Sequence, residues 1–596
     1  MIATSLLALA AALQAGPVQA PTDTGYFQQG VDYRIEARLD EDAHVLHGRA
    51  RLRYTNRSPA ALTHLYLHQH LNAFRPNSAW ARRELELGVR RFQDLGPDDH
   101  AFERFTAVQV DGQPVSVSYP AAPDSTVVLL PLAHPLAPGA SVTVRMDWDA
   151  RPSTVPRRQG RAGRHYDFAQ WYPRIAVYDR DGWEQHVLMP QGEFYGEFAR
   201  YDVTLDLPAD QVVGSTGVVV DGDPGWTPGP EAQAYPAAPA EALGLLAGQA
   251  AEGRKRVRIR ADSVHHFAWS VDPTFRHDVV LRSESNDAGE NRALPTIHVL
   301  YLAADTGWAN SAVSHRAYNA LAWLQGMFGP YPWPQFTVLH RLDGGGTEFP
   351  MLVMNGGPGE GLIVHETSHQ YTHGALANNE WKEGWLDEGF ASFLTNWYWE
   401  EHGNPAVWDR TIQGLTAVER AGRSEPVGWE GARFRDPASY STMTYGKGSV
   451  VLRMLRDMLG RDVMRRVLRE YYAQYRLKHV RGVDFQRVAE RVSGRDLGWF
   501  FAQWIDRTDK LDYAVSHVSS EPLGRGRWRT TVEVSRLGAA WMPVQLQVGD
   551  VVRTLGSHDA RQTVTLVTTG KPAEVVLDPG SLILDLDRSN NRAQVP

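Results

Sequence analysis

The sequence contains no cysteine, which excludes disulfides and thiolate metal ligands alike. The apolar run within its first twenty residues is too short to cross a bilayer, and no later segment is long and apolar enough to do so. It also lacks a positive excess. Its 61 Lys and Arg stand against 69 Asp and Glu, a net charge of -8, which argues against a nucleic-acid partner. The densest basic run is "GRKRVRIR" at 253–260. Its alternation with Val and Ile reads as the solvated face of a strand. No internal repeat is visible.

What is present is a 596-residue chain, 43% hydrophobic and 22% charged. That is an ordinary globular balance, spread over more residues than one core can serve. Nineteen tryptophans supply core mass or pocket walls. The opening "MIATSLLALAAALQAGPVQA" carries no charge, an apolar run from Leu6 to Leu13 and a small-residue "VQA" ending at Ala20. This predicts a signal peptide over 1–20 and a secreted or periplasmic protein, although the usual basic residue before the run is missing. An exported chain without disulfides must be held by its cores.

From about Tyr33 to Leu207 the apolar period is two. Ala50, Leu52 and Tyr54 alternate with Arg49, Arg51 and Arg53. Val142, Val144, Met146 and Trp148 repeat the pattern, as do Val203, Leu205 and Leu207. These are half-buried strands of a large antiparallel β domain, interrupted by a Pro- and Gly-rich loop at 221–242. Near Asn310 the period becomes helical in "SAVSHRAYNALAWLQGMFG", then in "GKGSVVLRMLRDMLG" and "RDLGWFFAQWIDR". After Leu511 alternation returns in "WRTTVEV", "PVQLQV" and "TVTLV". The organisation expected is a signal peptide (1–20), an N-terminal β domain (21–285), a mainly helical domain (286–510) and a small C-terminal β domain (511–596).

Chemistry concentrates in "VHETSHQYTHGALANNEWKEGWLDEGF", Val364 to Phe390. In His365-Glu366-x-x-His369 the two imidazoles lie four residues apart, on one face of a helix and about 5–6 Å apart at Cβ. They can share a zinc ion, with Glu366 next to the first ligand and within reach of a water. The five-residue motif alone arises by chance in roughly one such chain in twenty. His373 cannot join it, lying about 12 Å from His365 along a straight helix. It reads as a polar surface residue or a support to the ligands. A helix-turning Gly with a third His is also absent, because Thr372 occupies that position. Glu388, with eighteen residues between it and His369, is the better third ligand. A second helix packed antiparallel to the first returns its carboxylate to the imidazoles. Two His and one Glu leave a fourth position open, the pattern of catalytic zinc.

"HETSHQY" with "WLDEGFA" resembles the gluzincin aminopeptidases of the aminopeptidase N type, with Asp387 in place of the usual Asn. "FGPYPWPQFTVL", "GGTEFP", "TYGKGSVVLRML", "HHFAWSVDPTF" (His266 replacing an Asp) and "VVLDPGSLILDLDRSNN" extend the resemblance over several hundred residues. The family's large helical fourth domain has no counterpart here. The resemblance implies a multidomain α+β fold: an N-terminal antiparallel β saddle, a thermolysin-like catalytic domain and a small C-terminal β-sandwich. It implies one zinc per chain on His365, His369 and Glu388, with Glu366 as general base and Tyr445 as oxyanion donor. Peptides with a free N-terminus are the implied substrates, their α-amine bound by Glu348 on the Gly345-Gly346 loop. Tyr440 and Gln170 are further implied pocket residues.

The chain departs from the family pattern at Thr347 and Phe349, where the exopeptidase motif has Met and Asn. It departs again at Thr395, where many relatives carry a Glu that orients a ligand histidine. Alternatives that remain open are a zinc endopeptidase, an epoxide hydrolase on the same scaffold, and a non-catalytic peptide-binding relative. The sequence is silent on oligomeric state.

Overall fold

The architecture is described from a computed structural model covering residues 25–231, 250–281 and 294–596. The expected signal peptide, residues 232–242 of the 221–242 loop and the expected 285/286 domain boundary lie outside the described residues. Among the described residues no helix is long and apolar enough to cross a membrane.

The first domain is built on an eight-stranded sheet. Its order is Val218–Asp221, Arg254–Val264, Ala199–Pro208, Gly30–Asp40, Val45–Thr55, Ser141–Arg151, Phe102–Val110, Gln113–Pro114. The alternating residues behave as their period dictates. Ala50, Leu52, Tyr54, Val142, Val144, Met146, Trp148, Val203, Leu205 and Leu207 are all buried, and the arginines between Ala50 and Tyr54 face solvent. The sheet is not wholly antiparallel, because Gly30–Asp40 and Ala199–Pro208 run parallel. Such a pair needs a long crossover, here the more than 150 residues between the two strands.

The arginines of "GRKRVRIR" are not simply solvated. Arg258 is buried and bidentate to Asp202 (2.8 and 2.7 Å), and Arg254 pairs with Asp206 on the neighbouring strand. Opposite charges at diagonal positions of the two neighbouring strands account for these pairs.

A second small sheet, ordered Val212–Ser215, Trp269–Asp272, His165–Phe168, Gly160–Ala162, carries the first domain to the catalytic one. Gly214 on it has no room for a Cβ, because Leu339 and Leu300 of the catalytic sheet fill that space. Ala169 and Ala268 share an apolar cluster with Leu300, Leu339, Phe349, Leu352 and Met354. Asp167 Oδ2 also accepts from the Leu342 N–H at 2.8 Å. The two domains therefore meet directly behind the glycine-rich loop 344–346.

The catalytic sheet runs Phe275–Val280, Thr296–Leu302, Gln335–His340, Leu352–Asn355. Its first pair is antiparallel and the next two are parallel. Its last strand leads into the helix Glu360–His369, which packs between the helices Ala312–Met327 and Glu388–Glu401. After Leu511 the chain forms two further sheets, of three and four strands. This matches the expected multidomain α+β order: a β-rich N-terminal domain, a helical catalytic region and C-terminal β sheets.

Candidate metal and substrate site

The helix Glu360–His369 does not continue regularly. Thr367 Oγ1 and Ser368 Oγ bond back to the carbonyls of Ile363 (2.6 Å) and Val364 (2.8 Å). Thr372 Oγ1 does the same to Ser368 (3.3 Å). Such bonds compete with the regular ladder, and the helix widens into a π turn over Gln370–Ala375, a distortion common at functional sites. The next short strand, Leu376–Asn378, pairs with Lys478–Val480. The chain then turns through Gly384–Leu386 and starts a new helix at Glu388 itself.

This path brings three ligand atoms together. His365 Nε2 lies 3.0 Å from Glu388 Oε2 and 3.2 Å from His369 Nε2, and His369 Nε2 lies 3.3 Å from Glu388 Oε2. Ligands about 2.1 Å from a tetrahedral zinc are separated by about 3.4 Å, so the triangle fits that ion. Burial raises the Glu388 carboxyl's pKa, but the imidazoles of His369 and His365 outweigh this and hold it well below the usual range. It is thus kept in the anionic form that binds metal.

Behind the triangle, Asp387 lies fully buried with Oδ1 against His369 Nδ1. Orienting a ligand histidine therefore falls to the residue before Glu388. Thr395, in contrast, donates to the Ala391 carbonyl of its own helix (2.7 Å). His373 is not a surface residue: it is 3% exposed. The π turn carries it inward, where Nδ1 meets Glu380 and its ring meets that of His265.

Glu366 is buried with Oε2 unpartnered among the described residues. Burial, opposed by the two imidazoles, leaves its pKa raised to about 7. Gly346 is what admits it, since a Cβ there would overlap the Glu366 carboxylate. The loop is held by Arg341, whose guanidinium donates to Asp343 O (3.2 Å), Gly344 O and Thr347 Oγ1. Gln370 Nε2 donates to Phe349 O at 2.9 Å. Thr347 and Phe349 both point inward and are buried. The two departures from the exopeptidase motif are thus packing residues rather than pocket walls.

Glu348, between them, is 4% exposed with Oε1 unpartnered among the described residues. Burial and the neighbouring Glu193 raise its pKa to about 7.

These groups line one cavity of about 270 Å³, walled by Gly345, Gly346, Glu348, His365, Glu366, Glu388 and Tyr445 together with Arg157, Arg158 and Glu193. Tyr445 donates its hydroxyl to Glu388 Oε1 and stacks on His365 (6.0 Å, 4°). Burial holds its phenol well above the usual pKa, so it remains a donor.

Tyr440 stands behind Tyr445 (centroids 6.4 Å apart) and is not part of the cavity wall. Gln170 is not brought there either. It sits in a left-handed turn (φ 58°) with Oε1 3.4 Å from His70 Nδ1, and it is not among the residues that wall the cavity.

The first domain contributes Glu193 instead, 4% exposed and ion-paired with Arg158. Its carboxylate lies within 4.8 Å of that of Glu348. Nothing local marks "PQGEFYG", an irregular segment about 170 residues upstream of the first histidine, as part of the site.

Residues 359–504 match the profile of the Peptidase family M1 domain. A leucyl aminopeptidase from Saccharolobus solfataricus is 28% identical over 165 residues, 26% of this chain. That match spans only 20% of the relative's own length. Among solved structures, an M1 zinc metallopeptidase from Deinococcus radiodurans matches with a TM-score of 0.53 at 16% identity, over 81% of this chain and 93% of that one. Legionella pneumophila aminopeptidase A in complex with aspartic acid matches with a TM-score of 0.66 at 13% identity, over 94% and 60%. At these identities the structural likeness is one of fold. Residues 359–504 thus carry a Peptidase family M1 domain, and the motifs around the site are similar to those of the gluzincin aminopeptidases.

Proposed function

We propose that this protein is a zinc aminopeptidase that removes the N-terminal residue from peptides. The observation that carries the proposal is one cavity in which a His-His-Glu triangle, a buried carboxylate beside it and a second, unpartnered buried carboxylate meet. A zinc ion held by His365, His369 and Glu388, one per chain, supplies Lewis acidity toward the scissile carbonyl and makes water more acidic.

Glu366 takes the proton of the attacking water and returns it to the leaving amine. Burial raises the proton affinity of this carboxyl, which favours uptake of the water's proton. Tyr445 donates to the oxyanion formed when water adds. Glu348 receives the substrate's α-ammonium, whose charge favours the ionised carboxylate at neutral pH. Glu193, nearby and neutralised by Arg158, shapes the same end of the cavity. Export to the periplasm or medium belongs to the same proposal, supported by the Leu6–Leu13 run and the "VQA" sequence.

The test is a panel of aminoacyl amides and short peptides, each with a free and an N-acetylated α-amine. Cleavage confined to free amines, and lost in Glu348→Ala, is expected. Comparable kcat/KM on both forms would instead define an endopeptidase on the same metal site.

A further inference from the structure

Three arginines line the cavity, and two of them are fully engaged. Arg158 is paired with Glu193 and lies 4.8 Å over the Phe194 ring. Arg341 is spent on the glycine loop. Arg157 differs. Its guanidinium is 3.6 Å from Asp343 Oδ2, outside hydrogen-bonding distance. Its buried Nε has no hydrogen-bond partner among the described residues. Beyond the Asp343 ion pair it lies 5.9 Å from the Trp80 ring and feels the Glu193 carboxylate at longer range.

Successive side chains on an extended strand point to opposite sides, yet Arg157 and Arg158 line the same cavity. The left-handed backbone of Arg158 (φ 61°) makes this turn, and a non-glycine residue held there marks a constrained site. The carboxylates, by contrast, all have tasks: Glu388 on the metal, Glu366 on the proton, Glu348 on the ammonium, and Glu193 on Arg158. A guanidinium so placed lacks a bidentate anion, the geometry in which arginine binds most strongly. Burial first, and then the neighbouring Arg158, lower its pKa against the opposing pull of Asp343 and Glu193, so those two carboxylates do not offset the cost of its burial.

We propose that Arg157 recognises a carboxylate of the substrate, so that the preferred peptides carry an anionic group within reach of Arg157 while their α-ammonium sits on Glu348. This rests on the aminopeptidase reading above. The carboxylate is either the C-terminus of a short peptide or the side chain of an acidic residue. A cavity of about 270 Å³, at the small end for ligand sites, suits compact substrates.

Four substrates separate these sources: Ala-Ala, Ala-Ala-NH2, Glu-Ala-NH2 and Gln-Ala-NH2. The quantity read is the ratio of kcat/KM between each anionic substrate and its neutral partner, in the unaltered zinc-loaded protein and in Arg157→Gln and Arg157→Lys. At least one ratio is expected to be about tenfold or more in the unaltered protein. That ratio should fall toward unity in Arg157→Gln, chiefly through KM, and be partly kept in Arg157→Lys. Preference for Ala-Ala identifies the C-terminus, and preference for Glu-Ala-NH2 identifies the side chain.

Ratios near one in the unaltered protein overturn the proposal whatever the variants do. So does a preference that survives Arg157→Gln. Turnover of Ala-Ala-NH2 with neither preference leaves the aminopeptidase reading standing, whereas no turnover of any of the four removes that reading and this inference with it.

Discussion

His369 and Asp387 face each other in the dry interior behind the metal ligands. Nδ1 of the imidazole lies against Oδ1 of the carboxylate, and neither side chain is more than 1% exposed. The contact holds the proton on Nδ1 and leaves the Nε2 lone pair for the ion. Asp387→Ala should weaken zinc binding about 10- to 100-fold, measured by competition with a chelator of known affinity. Asp387→Asn should lose less, because the amide oxygen still accepts. Unchanged affinity in the alanine variant would rule out this role.

Gly346 and Glu366 are in contact by design of the loop, since only a hydrogen fits between them. Gly346→Ala should push the Glu366 carboxylate aside while leaving zinc content unchanged. A displacement of about 1 Å typically costs about 100-fold in rate. Glu366→Gln sets the scale, at about 100- to 10,000-fold in kcat. Near-normal turnover in Gly346→Ala, with zinc retained, would show that the carboxylate's position is not critical.

Tyr445→Phe should lower kcat about 100- to 1,000-fold with little change in KM, because an oxyanion donor acts only beyond the ground state. Stopped-flow or steady-state kinetics with a chromogenic aminoacyl amide reads the split. An effect lying wholly in KM would return Tyr445 to a packing role against His365.

Glu383 lies away from the metal, in a separate cavity with Tyr26, Tyr195 and His479. Burial raises its pKa from 4.5 to about 7, opposed by the Gly482 N–H that donates to Oε1 at 3.0 Å. A raised carboxyl binds its proton more tightly in the folded state. Its stabilising contribution is therefore complete below pH 4.5 and fades as pH rises from 4.5 through 7. Glu383→Gln keeps the acceptor without the charge. Its Tm should exceed that of the unaltered protein at about pH 8, with the gap narrowing at about pH 5. Equal gaps at both values would contradict the raised pKa.

The strands around Ala50, Val144 and Val203 were legible because burial on one sheet face writes itself directly into a period of two. The His365–His369 pair is equally local, since helix geometry alone places residues four apart on one face. Glu388 was reachable from sequence only through spacing and resemblance, because a turn, a strand and a π-widened helix end lie between it and His369.

The rest was decided in three dimensions. Asp387 read as a mild change from Asn until the fold set it on His369 Nδ1, and His373, read as polar surface or as a support to the ligands, was buried by the π turn. Gln170 yielded its expected place to Glu193, and Arg157 and Arg158 entered from the β domain, because side chains some 150 to 230 residues away in the chain meet where two domains close on the glycine loop. No period or spacing records such a meeting. It depends on the strand crossing, on Gly214 lying against Leu339 and on the left-handed turn at Arg158, which are properties of the packed chain and not of any short stretch of it.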